Sequence, residues 1–281
     1  MTLAITGVTG QLGRLVVAAL KKNGVSEPIV GIARSPEKAA DLPVEVRAGD
    51  YGDKEALEAA LAGVDTLLLI SSSEVGSRVA QHRNVIEAAK AAGVKRIAYT
   101  SILHADTSPL GLAEEHRATE ALIRESGMAY TLLRNGWYTE NYAASIPGAL
   151  QAGAFVGSAG EGRIASAARA DYAEAAAAVL AGPGHDDAVY ELAGEGAYTL
   201  SEFAAEISRR AGREIPYRDL PQADYAALLV SVGLPEPLAA MLADSDAGAA
   251  KGGLYGNEPD LARLIGRPTT PMAKVVEAAM A

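Results

Sequence analysis

Leu3-Ala4-Ile5-Thr6-Gly7-Val8-Thr9-Gly10-Gln11-Leu12-Gly13-Arg14-Leu15-Val16 is the stretch on which the reading of this chain turns. Leu3–Thr6 has the character of a buried strand, and glycines follow at every third position. Gln11–Asn23 then reads as a helix, with Leu12, Leu15, Val16, Ala19 and Leu20 on one face and Gly24 as its stop. A strand that turns sharply into a helix presents free amides and the positive end of the helix dipole at one point, which suits a phosphate. Gly7 permits the turn, Gly10 lets the backbone approach a phosphate without a Cβ, and Gly13 allows close packing of helix on strand. The other reading is an incidental glycine turn, and the chain on either side argues against it.

Downstream, strand-like segments at Pro28–Ala33, Val44–Val46, Thr66–Ile70, Arg96–Thr100 and Tyr130–Leu133 alternate with helical ones near Lys54–Ala62, Arg78–Ala92 and Leu112–Ser126. Strands joined by helical crossovers make an α/β fold with a doubly wound parallel sheet of the Rossmann type. A glycine-rich turn after the first such strand binds a dinucleotide pyrophosphate. After Asn135 glycine, proline and serine break up shorter elements. Two capping signals are still legible there, Asp171-x-x-Glu174 before a helix to about Leu180 and Thr199-x-x-Glu202 before one to about Ala211. Val189–Leu192 reads as a further strand, so the second half returns to the sheet. The expected organisation is a dinucleotide-binding domain over 1–135 and a smaller α/β substrate-covering subdomain over 136–281, interleaved with the sheet.

Bulk composition narrows the function classes. The 281 residues are 49% hydrophobic and 21% charged, with no cysteine, which excludes disulfides and thiolate metal sites. A formal net charge of −10 leaves no basic stripe for a nucleic-acid backbone. Neither a leader nor a long apolar run is evident, and the expectation is a cytoplasmic protein that does not enter membranes. His82, His104 and His185 lack metal-ligand spacing, so no metal site is expected. Surface helices allow a homodimer without specifying one.

The second strand decides the cofactor. Where NAD-preferring domains carry an acid for the adenosine ribose, this one ends Ala33-Arg34-Ser35. A guanidinium can hold a 2′-phosphate through paired charge-assisted bonds, so Arg34 points to NADPH, with no acid expected to compete for it. The alternative for Arg34 is a solvated surface residue. Asp50 either reaches the adenine or forms a turn before Tyr51-Gly52-Asp53.

The spacing G-x-x-G-x-x-G resembles that of extended and atypical short-chain dehydrogenases, most of which use a Tyr-x-x-x-Lys pair. None of the eleven tyrosines has a lysine four residues on. At the helix where the pair would lie, His116 and Glu120 occupy positions i and i+4, either as a replacement proton donor or as a solvated charged face. Together with Leu68–Gly76, His104–Leu110, Leu133–Tyr142, Ala243–Gly248 and Ile265–Thr270, this resembles the NmrA-like atypical short-chain dehydrogenases, and within them the bacterial type 2 NAD(P)H:quinone oxidoreductases.

What the resemblance implies is an NADPH-dependent quinone reductase. Gly7, Val8, Thr9, Gly10, Gln11, Leu12 and Gly13 would wrap the pyrophosphate, and Arg34 the 2′-phosphate. Ser71, Ser72 and Ser73 would meet the cofactor after the fourth strand, and Asn135, Gly136, Trp137, Tyr138, Thr139 and Glu140 the nicotinamide end. Both loops follow strands at the carboxyl edge of the sheet, where ligands of this fold bind. Simple turn chemistry also accounts for the three serines. Trp137, Tyr138 and His116 are the catalytic candidates. The rings of Trp137, Tyr138 and Tyr142 either stack on a flat acceptor or pack the interface between the cofactor domain and the second half. Arg169 either touches the ligand cleft or neutralises acidic neighbours. The rival functions are a non-catalytic NADP(H)-sensing regulator and a reductase of another electrophilic aromatic acceptor.

Overall fold

The computed structural model describes all residues, 1–281. Leu3–Thr6 (β1) is followed by Gln11–Lys22 (α1), Ile29–Ala33 (β2), Glu45–Ala48 (β3), Lys54–Ala60 (α2), Thr66–Leu69 (β4), Arg78–Ala91 (α3), Arg96–Ile102 (β5), Ala113–Glu125 (α4) and Ala129–Asn135 (β6). Then come Thr139–Ala143 (α5), Ile146–Ala152 (α6), Phe155–Gly157 (β7), Arg169–Ala181 (α7), Ala188–Leu192 (β8), Leu200–Ala211 (α8) and Tyr217–Asp219 (β9). The chain finishes with Gln222–Ser231 (α9), Glu236–Ala249 (α10), Asp260–Ile265 (α11) and Met272–Ala279 (α12).

Seven strands form one sheet in the order β3-β2-β1-β4-β5-β6-β8, and every pairing from β3 across to β6 is parallel. The order reverses between β1 and β4, so the carboxyl ends there are the crevice of a doubly wound fold. The doubly wound sheet expected from the alternation is therefore present, with β8 as a seventh strand. β1 and β4 are buried along their whole length, as strands covered on both faces must be. Leu57, Leu61, Val85 and Ile86 from the helices pack on Leu67, Leu69, Ile97 and Leu132 from the strands. No helix is long and apolar enough to cross a membrane.

The chain divides into two compact units, each assembled from separate stretches of sequence. One compact unit comprises Met1–Ala105, Glu114–Asn135 and Ala170–Glu191; the other comprises Asp106–Ala113, Gly136–Arg169 and Leu192–Ala281. The first is held at its far edge by Arg96, whose guanidinium donates to the carbonyls of Val179 and Leu180 at 3.1 and 2.9 Å and so closes the end of α7. The second carries the parallel pair β7–β9 and a satellite core of Tyr225, Leu229, Ala239 and Ala243.

One capping signal holds and one fails. Thr199 and Glu202 form the reciprocal box that starts α8. α7, however, starts at Arg169, two residues before the expected cap, and Asp171 is fully buried inside its first turn. Glu140 does the capping instead, both its oxygens accepting the Arg169 backbone N–H at 2.9 and 3.0 Å. An acid distant in sequence has replaced the local one.

Candidate functional site

The glycine loop is built to bring backbone close to an anion. Gly7 has φ +60°, the left-handed region that favours glycine, and donation of the Gly10 N–H to the Gly7 carbonyl at 2.9 Å tightens the turn. A Cβ on Gly13 would lie 2.6 Å from the Gly7 oxygen and 2.8 Å from the Val8 Cα, so α1 can sit this close only with glycine there. Gly10 is the helix N-cap and has no side chain to cover the first amides. Leu12 and Val8 are buried beneath the loop, while Gln11 and Gly10 are exposed at its lip. Below, the buried Tyr51 hydroxyl donates to the Ile70 carbonyl at 2.8 Å and bonds the Thr6 hydroxyl at 2.5 Å, tying the ends of β1 and β4. Arg14 braces the loop from outside by donating to the Thr9 carbonyl at 3.3 Å and pairing with Asp41 at 2.7 Å. This cradle fits a dinucleotide pyrophosphate on its own geometry.

Arg34 follows β2 and is exposed, but an acid does compete for it: Glu74 lies 3.0 Å from its Nη1. The expectation of an uncontested guanidinium is corrected, because the loop after β4 crosses toward β2 and sequence distance hid the pairing. Asp50 is engaged in a turn, its Oδ1 accepting the Gly52 N–H at 2.7 Å, and Asp53 caps α2.

The serines after β4 are held in detail. The Ser71 N–H donates to the Thr100 hydroxyl at 2.8 Å, the Ser72 N–H to His82 Nε2 at 2.9 Å, and Ser73 is exposed. The Ser71 hydroxyl is buried and makes no hydrogen bond within the chain. Behind it, His82 Nδ1 bonds the Thr119 hydroxyl at 2.9 Å and His116 Nδ1 bonds the Tyr99 hydroxyl at 2.8 Å. Burial, with the nearby Arg78 charge second, lowers both histidines to about 3, so both are neutral at physiological pH.

The reading of His116 and Glu120 as a solvated face is therefore corrected: they are 7% and 1% exposed. Glu120 stands where the lysine of a Tyr-x-x-x-Lys pair would fall, and Arg134 of β6 grips it with two bonds of 2.9 and 2.7 Å. Ser101 donates to the same carboxylate at 2.6 Å, and Arg134 reaches Glu191 of β8 at 2.8 Å. The other oxygen of Glu191 accepts the backbone N–H of His104, a non-glycine residue at φ +52°. Charge pattern alone gave no sign of this burial, since the partners come from the flanking strands β5 and β6, which pass beneath α4 only in the folded chain.

In the second unit, Trp137 is 8% exposed and packs beside Tyr142, with ring centroids 6.5 Å apart; Tyr142 in turn meets Phe155 and Phe203. Tyr138 is half-buried, with the Arg169 guanidinium 4.7 Å from its ring centre. The Thr139 hydroxyl bonds that of Ser166 at 2.7 Å, the Gly136 N–H donates to the Leu192 carbonyl at 2.9 Å, and Asn135 ends β6 with its carbonyl accepting the Leu103 N–H at 2.9 Å. Their side chains are thus positioned by a defined backbone.

Asp246 of α10, singled out by no sequence signal of its own within Ala243–Gly248, is 2% exposed. It accepts from the Tyr142 hydroxyl and the Ser158 N–H, both at 2.9 Å, and burial pushes its carboxyl up to about 6. The folded chain holds a proton there that the unfolded chain releases, so stability from this group is present below about pH 4 and lost as pH rises through about 6. Melting the parent and Asp246→Asn across that window should show the parent's advantage shrinking as pH rises. A constant difference would contradict the assignment.

The family model described as NAD(P)H-binding matches residues 7–183. The chain belongs to that family. Along its length it is 60% identical over 277 residues to Quinone oxidoreductase 2 of Escherichia coli (strain K12), covering 98% of this chain and 97% of the relative. A crystal structure of the NADPH-dependent quinone oxidoreductase QOR2 from Escherichia coli complexed with NADPH superposes with a TM-score of 0.96 at 58% identity, covering 99% of this chain and all of that one. Triphenylmethane reductase of Citrobacter sp. follows with a TM-score of 0.94 at 38% identity, covering 100% and 99%. The NmrA-like resemblance is borne out as well, by an NmrA-like oxidoreductase of Aspergillus flavus that is 28% identical over 78% of this chain and 74% of its own.

Proposed function

We propose that this chain is an NADPH-dependent quinone reductase, cytoplasmic and acting on a small-molecule quinone, with surface helices that allow a homodimer without specifying one. The observation that carries the activity is near-complete alignment at 60% identity with a quinone oxidoreductase. The glycine loop from Gly7 to Gly13 holds the pyrophosphate, Arg34 the 2′-phosphate, and Ser71 to Ser73 and Asn135 to Glu140 the remaining cofactor surfaces. Bound there, NADPH supplies the hydride.

The side chains around that chemistry orient and exclude water; none is set up as a strong acid. His116 is buried and neutral with Nδ1 engaged by Tyr99, and Glu120 is locked by Arg134. A quinone tolerates this, because the charge it gains is spread over an aromatic hydroquinone anion that takes its proton from water. An unactivated ketone does not. A dye-like acceptor is a second reading, favoured by 38% identity to a triphenylmethane reductase.

The test is NADPH absorbance on mixing purified protein with a short-chain benzoquinone. Steady consumption supports the reductase, whereas tight NADPH binding without turnover supports a sensor. In that assay His116→Ala, judged on folded protein, should keep kcat within about tenfold of the parent, since loss of a true general acid costs about 10²–10⁴-fold. A larger collapse with NADPH affinity intact would make His116 the proton donor.

A further inference from the structure

Glu74 is not a loosely placed surface acid. Its backbone N–H donates to the Ser72 hydroxyl at 3.1 Å, that hydroxyl donates to Gln81 Oε1 at 2.5 Å, and Gln81 Nε2 donates back to Glu74 Oε2 at 2.7 Å. This closed ring aims the remaining oxygen, Oε1, at Arg34 Nη1 3.0 Å away. β1 lies between β2 and β4 in the sheet, so the pair joins the loops on either side of the strand that leads into the glycine cradle.

We infer that Glu74 is a specificity-determining residue that competes with the 2′-phosphate of NADPH for Arg34 and so limits the preference for NADPH over NADH. This rests on the reading of Arg34 as the 2′-phosphate ligand. A dianionic phosphate that pairs with Arg34 must displace a carboxylate already fixed on the same guanidinium, and it then lies beside the displaced negative charge. NADH has no such group and leaves the pair intact. Glu74 therefore acts on the ratio of the two affinities. The pair is solvent-exposed, with side-chain exposures of 66% and 47%, so its effect is modest and weakened by salt.

The experiment is direct titration of the full-length protein with NADPH and with NADH, followed by cofactor fluorescence, for the parent, Glu74→Gln, Arg34→Gln and the double variant. Glutamine keeps the shape and the link to Gln81 while removing the charge. Glu74→Gln should tighten NADPH about two- to fivefold at low salt and leave NADH unchanged, and the gain should vanish when Arg34 is also replaced. Equal tightening of both cofactors, no tightening, or a gain that persists without Arg34 would overturn the competition. Arg34→Gln that leaves the NADPH-to-NADH ratio untouched would overturn the Arg34 reading and this inference with it. An effective Arg34→Gln with a silent Glu74→Gln would overturn the inference alone.

Discussion

Arg34→Asp should weaken NADPH binding about 10- to 100-fold and NADH binding by no more than about threefold, because a charge-assisted bond to phosphate is worth about 1.5–3 kcal/mol. The substitution removes the only cation identified for the 2′-phosphate and sets a new carboxylate beside that of Glu74 where the phosphate must sit. The loss should therefore fall toward the upper end of that range. Parallel titrations with the two cofactors provide the check, and comparable losses for both would assign Arg34 to some other part of the dinucleotide.

The other large effect concerns folding. Glu120→Ala should destabilise the protein by about 3 kcal/mol, since removing one partner of a buried pair strands the other charge. Arg134, whose side chain is 5% exposed, would lose the carboxylate that takes two of its bonds, and the Ser101 hydroxyl would lose its acceptor. In a chain of this size such a loss lowers the melting temperature by roughly 6–12 °C. A solvated face predicts a change within about 0.5 kcal/mol, so calorimetry or thermal melting separates the two readings cleanly. Glu120→Gln, which retains shape and one acceptor, should fall between them.

Both predictions turn on partners that adjacency in sequence conceals. The spacing of Gly7, Gly10 and Gly13 is a local constraint: a positive φ, a close carbonyl and a short strand-to-helix turn act within seven residues, and each glycine is needed where it stands. The doubly wound parallel sheet was legible for a related reason, since apolar runs such as Thr66–Leu69 separated by helical periods leave few ways to wind the chain. The capping box at Thr199 likewise involves only neighbours.

Charge pairing is another matter. Arg34 and Glu74 are 40 residues apart and Arg134 and Glu191 are 57 apart, so no window of sequence contains both members. The burial of His116 and Glu120 depends on strands β5 and β6 supplying Tyr99, Ser101 and Arg134 beneath α4, and helical periodicity by itself reads two polar residues at i and i+4 as a surface. Glu140 displaced Asp171 as the cap of α7 because a carboxylate from another segment reached the first amide.

From its sequence alone this chain was legible as a dinucleotide-binding α/β protein without a Tyr-x-x-x-Lys acid, because turn geometry and apolar periodicity are set by neighbours along the backbone. Only the tertiary structure decided which polar groups are charged, buried and already engaged. Those properties depend on desolvation and on partners brought together by the sheet, which act through space.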